Sequence, residues 1–253
     1  MLNGKKVISI IPARSGSLGV PGKNYKIICK RPLLWWSIEA AERSKYIDTI
    51  VVSSNCKECL NIATSSPYYT NWSENHVEGH DIPFKLYTVQ RPDEISGPSS
   101  TTEEAMINAV KEMKNNHNME FGYVVLLQPT SPCRNNNLID KCLEKMIDNN
   151  ADSVLTVSRH TPFFWQIDEN GKAYSNYSNT KRPMRQDILE TDFLFHDCGN
   201  MYAVEEELLN NFGRYGRNPV IYETDSFQSM QIDTEEDFII MENMAKIKQG
   251  FLT

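Results

Sequence analysis

Ile10-Ile11-Pro12-Ala13-Arg14-Ser15-Gly16-Ser17-Leu18-Gly19-Val20-Pro21-Gly22-Lys23-Asn24 runs from an apolar strand directly into a turn with three glycines, two serines and two cations. Glycines let backbone N–H groups approach and wrap an anion, and the concavity they form is a phosphate nest. Arg14 can hold phosphate oxygens bidentately, and Lys23 supplies a point charge on a flexible stem. That pairing suits a triphosphate. The spacing is not G-x-x-x-x-G-K-[ST], because Asn24 follows Lys23, and it is not G-x-G-x-x-G. A plain strand-to-helix turn would explain the glycines but not two cations in one loop. Ala13, Arg14, Ser15, Gly16, Lys23 and Asn24 are thus the expected phosphate-side residues, with Arg14 and Lys23 expected to serve catalysis.

Outward from this loop, short apolar or β-branched runs alternate with amphipathic helical patterns, the signature of strand-helix-strand units around a parallel sheet. Strands are expected near 6–12, 48–54, 121–128 and 152–158. Asn55 with Glu58 predicts a capping-box-like helix start, which puts Cys56 and Cys59 in the first turns of that helix. A redox pair is conceivable there, but a single C-x-x-C lacks the second ligand pair that a zinc site wants. Thr101 and Glu104 predict a second capping box, followed by Met106, Ala109, Val110 and Met113 at helical spacing. Leu138, Ile139, Cys142, Leu143, Met146 and Ile147 form one apolar stripe facing a core.

Two stretches interrupt the alternation. Residues 64–83 read as a long surface excursion; His76 and His80 with Glu78 between them have the wrong order for H-E-x-x-H, so no metal is expected. Residues 160–195 hold Phe163, Phe164 and Trp165 and then a polar run with Lys181, Arg182 and Arg185, which suits a partner surface or a local core.

The 253 residues carry 33 acidic against 26 basic groups, a formal charge of -7, which argues against a nucleic-acid-binding surface. The apolar run near the start is shorter than a signal-peptide core, and no stretch approaches the roughly 18 apolar residues of a membrane span. A cytoplasmic location without membrane contact is expected, with the six cysteines as thiols.

Residues 10–24 resemble the I-P-A-R-G-G-S-K-G-I-P-G-K-N loop of the acylneuraminate cytidylyltransferase family, and the similarity continues in order along the chain. Arg91-Pro92-Asp93-Glu94 resembles R-P-x-E-L, the run 126–134 (LLQPTSPCR) resembles L-L-Q-P-T-S-P-L-R, Arg185-Gln186-Asp187 resembles an R-Q-D/Q segment, and Ile232-Asp233-Thr234-Glu235-Glu236-Asp237 resembles the terminal I-D-T-x-x-D. The resemblance implies a single Rossmann-like nucleotide-diphospho-sugar transferase domain over 1–253, with 160–195 as a dimerisation excursion. It implies CMP transfer from CTP to a 2-keto-3-deoxy sugar acid with release of pyrophosphate, Mg²⁺ as cofactor, and a homodimer. It places Arg14, Lys23 and Asn24 around CTP and Arg91 near the base. It turns Gln128, Arg185 and Gln186 toward the sugar acid and gives Asp233 to the metal. Chemistry alone allows Arg185 to pair with a sugar carboxylate or to be a solvated surface group, and Gln128 to meet a ligand or to satisfy loop backbone. It allows Asp233, expected after a short strand-like run and before a helix near Thr234, to hold Mg²⁺ or to cap that helix.

The chain departs from the family at four places. Leu18 stands for a loop lysine, Pro98 for the aspartate of an S-D-T segment, and Gln231 for a metal-binding aspartate. His196-Asp197-Cys198-Gly199-Asn200-Met201-Tyr202 replaces N-G-A-I-Y and looks more like the H-D-A-G-Q-F-Y of pseudaminic acid cytidylyltransferases, which brings Asp197 in as a substrate-side candidate. Sialic, pseudaminic and legionaminic acids are equally acceptable acceptors on this reading. Leu18 and Gln231 motivate a competing expectation, a nucleotide-binding module without catalysis. Transferases for another sugar or nucleotide are the alternatives within the class, and a dehydrogenase is disfavoured by its out-of-register fingerprint.

Overall fold

The computed structural model describes residues 1–16, 19–66 and 86–247. Strand β1 (Val7–Pro12) lies at the middle of the sheet, and its side chains alternate between two cores as the period of two requires. Val7 and Ile11 join one apolar cluster, while Ile8 and Ile10 join the other. The expected strands appear as β1, β4 (Thr49–Ser54), β6 (Tyr123–Leu126) and β7 (Ser153–His160). Two-residue β2 (Ile27–Ile28) and β3 (Arg31–Pro32) form a small hairpin after the loop, and β5 (Leu86–Gln90) is the edge strand.

Strands β8 (Trp165–Ile167) and β9 (Ala173–Ser175) pair antiparallel in a separate hairpin. With β10 (Leu194–Glu205) and β11 (Pro219–Thr224), the seven-stranded sheet has the order β11-β7-β10-β6-β1-β4-β5. Every pairing within it is parallel except those of β10, which runs antiparallel between β6 and β7. The sheet is thus mostly parallel, with helices on both faces, as expected. Helices α1 (Leu33–Arg43), α2 (Lys57–Thr64) and α4 (Leu138–Asp148) cover one face; α3 (Thr102–His117) and α5 (Glu206–Phe212) cover the other. Cys142 is fully buried in α4, as its stripe predicts.

Helix α6 (Glu235–Ile247) belongs to a third cluster, where Phe238 and Met241 pack with Val20, Leu33, Trp36 and Phe227. That cluster fastens the C-terminal segment against the N-terminal loop.

Two local expectations need correction. The capping box at Asn55 does not form: Cys56 is the N-cap of α2, and the Asn55 side-chain oxygen instead accepts the Ser15 N–H at 2.9 Å. No strand precedes Asp233; residues 231–233 are extended coil. The Thr101–Glu104 box does form, with both reciprocal bonds present. His76, Glu78, His80 and Leu18 lie outside the described residues. Among the described residues no helix is long and apolar enough to cross a membrane.

Candidate active site

The chain leaves β1, crosses to β4 and β5 on one side, and returns to β6 on the other, so the sheet reverses direction between β1 and β6. Ligands of open α/β sheets bind beyond the carboxyl ends of strands at such a point. A cavity of about 490 Å³ opens there, lined by Arg14 after β1, Arg91 after β5, Gln128 after β6, and by Lys23, Asn24 and Asp233. Residues more than 200 positions apart therefore converge on one site.

Lys23 is only 8% exposed, and its Nζ donates to the Ile232 carbonyl at 2.8 Å and to Asp233 Oδ1 at 3.0 Å. Gly19 permits this closure: a Cβ there would lie 2.1 Å from the Asp233 carbonyl oxygen. The Asp233 side chain is 65% exposed and does not cap α6. That role falls to Thr234, whose hydroxyl accepts the Asp237 N–H, while the Asp237 carboxylate accepts the N–H groups of Asp233 and Thr234. Those bonds hold the Asp237 carboxyl below its ordinary value, although burial acts the other way as the largest single influence.

Arg14 donates from Nη1 to the Gly97 carbonyl at 2.6 Å, and Asn24 Nδ2 donates back to the Arg14 carbonyl at 3.2 Å. Arg91 is 4% exposed and is held by the Ser53 carbonyl and hydroxyl. Burial first, and then the charge of Arg14, push its guanidinium down to about 10. No carboxylate among the described residues pairs with Arg14 or Arg91. Among the described residues lining the cavity, only Asp233 is acidic. Three cations against one carboxylate make this a place for an anion.

Ala13 and Ser15 are fixed from behind. Ser54 Oγ donates to the Ala13 carbonyl, and Ser15 and Gly16 line a recess of about 60 Å³ that continues the loop toward Cys56 and Cys59. Burial pushes the Cys59 thiol up to about 12. Such a thiol is a packing group, not a nucleophile.

Residue reasoning missed Ser100, Thr101 and Thr102, which line the cavity at the amino end of α3. Thr101 was legible only as a cap. The signal that would have found it is topological, since in a parallel sheet the helix following each strand starts at the strands' carboxyl side.

Other expected residues stand apart from the cavity. Arg185 and Gln186 occupy an exposed single turn, Arg185–Asp187, and do not line it in one copy of the chain. Asp197 accepts hydrogen bonds from the hydroxyls of Tyr202 at 2.6 Å and Tyr215 at 3.1 Å, and from the Gly199 N–H. Burial, and after it the Asp197 carboxylate, raise both phenols. Gln231 donates from Nε2 to the Cys198 carbonyl at 2.6 Å, and that amide group lies against Gly199.

The family described as "Cytidylyltransferase" matches residues 8–78. N-acylneuraminate cytidylyltransferase A of Danio rerio is 27% identical over 94% of this chain and 50% of its own length. The CMP-N,N'-diacetyllegionaminic acid synthase of Legionella pneumophila is 25% identical over 98% of this chain and 99% of its own. The pseudaminic acid cytidylyltransferase of Campylobacter jejuni is 28% identical over 78% and 77%. The chain spans about half the length of several curated relatives that it matches. Its fold is that of a CMP:2-keto-3-deoxy-manno-octonic acid synthetase solved with CTP, at a TM-score of 0.61 with 15% identity over 96% of this chain. In sequence the chain is similar to acylneuraminate, legionaminic and pseudaminic acid cytidylyltransferases, and in fold to a CMP:2-keto-3-deoxy-manno-octonic acid synthetase.

Proposed function

We propose that the chain transfers CMP from CTP to a 2-keto-3-deoxy sugar acid. The observation that carries this reading is the cavity at the sheet's reversal point, where Arg14, Lys23 and Arg91 surround a space with one carboxylate. An oxygen of the sugar acid attacks the α-phosphorus of CTP, its proton is lost, the α–β phosphoanhydride bond breaks, and pyrophosphate departs. Transfers of this kind depend on in-line positioning and charge neutralisation more than on covalent chemistry. Arg14 and Lys23 neutralise phosphate oxygens, and the amino end of α3 adds its dipole to the same wall. Asn24 holds the loop by the Arg14 carbonyl, and Arg91, which lines the same cavity, would meet the base.

Among the described residues no three metal-ligating side chains cluster. Mg²⁺ fits this donor set because it takes one or two carboxylates and draws its other ligands from phosphates and water. Asp233 would hold it at the edge of the cavity. When bound, it supplies further neutralisation of phosphate charge.

Gln128 faces the acceptor side, and Arg185, Gln186 and Asp197 complete that side within a homodimer. The exposed Phe164, Trp165, Ile167 and Tyr174 on the β8–β9 hairpin support an apolar contact with a second copy. All six cysteines are free thiols, which suits the cytoplasm.

Purified protein with CTP, Mg²⁺ and a panel of sialic-, legionaminic- and pseudaminic-type acids is expected to release pyrophosphate with at least one of them. A chain that binds CTP and releases none with any acceptor is a nucleotide-binding module instead.

A further inference from the structure

Among the described residues Arg134 is a buried cation without a counter-anion. It is 6% exposed, and all its bonds go to neutral oxygens: Nε and Nη2 donate to the Asn200 carbonyl at 3.1 and 2.8 Å, Nη2 to the Gln128 carbonyl at 2.7 Å, and Nη1 to Ser37 Oγ at 3.0 Å. Removing a guanidinium from water without a carboxylate is costly, and a packed apolar side chain would fill the space more cheaply. The planar fork supplies what an apolar residue cannot, a rigid tie between two carbonyls on different strands.

One carbonyl belongs to a cavity residue and the other to the β10 bulge against which that residue's side chain packs. Gln128 follows β6 and lines the cavity. Asn200 follows Gly199, at the register shift of β10 between Asp197 and Tyr202, where the backbone takes a φ of +65°. A Cβ on Gly199 would sit 2.5 Å from Gln128 Oε1 and 2.4 Å from Gln231 Nε2, so the two glutamine side chains close over this bulge. The bonds of Arg134 include none to Arg14, Lys23, Asn24 or Arg91.

We propose that Arg134 is a positioning residue for the sugar-acid side of the cavity: it locks the backbone of Gln128 to the Gly199–Asn200 bulge, and so fixes where Gln128 meets the acceptor. The inference rests on the function proposed above. A lysine keeps the charge but offers one nitrogen in place of three, so it cannot span both carbonyls and Ser37.

The test is steady-state kinetics of wild type and Arg134→Lys, with CTP and the sugar acid varied separately and folding checked by far-UV circular dichroism. In the folded variant the sugar-acid KM should rise about tenfold or more, while the CTP KM stays within about twofold. A general loosening would move both constants together, and that result, or no change in either, overturns the inference. Should Arg134→Lys not fold, Ser37→Ala loosens the same tie, because it removes the Nη1 acceptor together with a hydroxyl that itself donates to the Gln128 carbonyl at 3.4 Å. A rise of about threefold in the sugar-acid KM alone is then expected, and an unchanged one overturns the inference. Absence of turnover in wild type with every acceptor sinks the functional reading and this inference together; turnover with an unselective variant sinks the inference only.

Discussion

Lys23 and Arg14 carry most of the phosphate-side argument, and they are held differently. Lys23 is immobilised between a carbonyl and a carboxylate, whereas Arg14 has a single carbonyl partner and spare donors. Each charge-assisted contact to phosphate is worth on the order of 1.5–3 kcal/mol, so Arg14→Ala and Lys23→Ala should each lower kcat/KM by about tenfold or more. Wild-type-like rates in both would remove the loop from the active site. At Asp233 the capping alternative is now testable on its own, because Thr234 caps α6. Thr234→Ala should cost about 1 kcal/mol of stability in denaturant unfolding and leave the Mg²⁺ dependence alone. Asp233→Asn should remove most activity, and Gln231→Asp should keep it and lower the Mg²⁺ concentration for half-maximal rate, since an amide oxygen coordinates without charge. An Asp233→Asn protein with unchanged rate and Mg²⁺ dependence places the metal elsewhere. The loop was legible because glycines and cations adjacent in sequence stay adjacent in space. The Lys23–Asp233 contact was not, because no local pattern announces a bond across 210 positions.

Helix α3 links the cavity to Asp197. Its first turn lines the cavity, and from that turn Glu103 receives two hydrogen bonds from Arg214, at 2.6 and 3.0 Å. Arg214 in turn lies over the rings of Tyr202 and Tyr215, the two phenols that hold Asp197. Burial alone would raise the Glu103 carboxyl, but the bonds and charge of Arg214 more than reverse it and leave the group depressed. A depressed carboxyl contributes stability that is present above its unfolded value and is lost as pH falls through the lower folded one. Glu103→Gln should therefore cost on the order of 1–3 kcal/mol at neutral pH, and the gap to wild type should close as the solution is acidified below the usual carboxylate range. A gap that stays constant with pH in thermal melts would show that the ion pair is not its source. Among elements, the four predicted strands and the three clearest helical patterns were readable from apolar periodicity. Strand β10 was not: its first residues, Leu194, Phe195 and His196, are exposed whether apolar or polar, and its glycine bulge breaks the alternation just where it turns inward. The residues of that strand showed themselves as a motif, not as sheet.

At the scale of the whole molecule, the cavity is built within one chain, but the Arg185–Asp187 turn and the β8–β9 hairpin project away from it. Sedimentation at micromolar concentration should show a dimer, and Trp165→Ser, which removes an aromatic anchor, should shift it toward monomer and lower activity. A fully active monomer would return Arg185 and Gln186 to the status of surface groups. The central claim is tested most directly by the identity of the product. Protein incubated with CTP, Mg²⁺ and the best acceptor of the panel should yield, by mass spectrometry, a sugar acid joined to CMP, with one pyrophosphate released per conjugate. Free CMP without a conjugate, a sugar carrying a different nucleotide, or no change in CTP would contradict it.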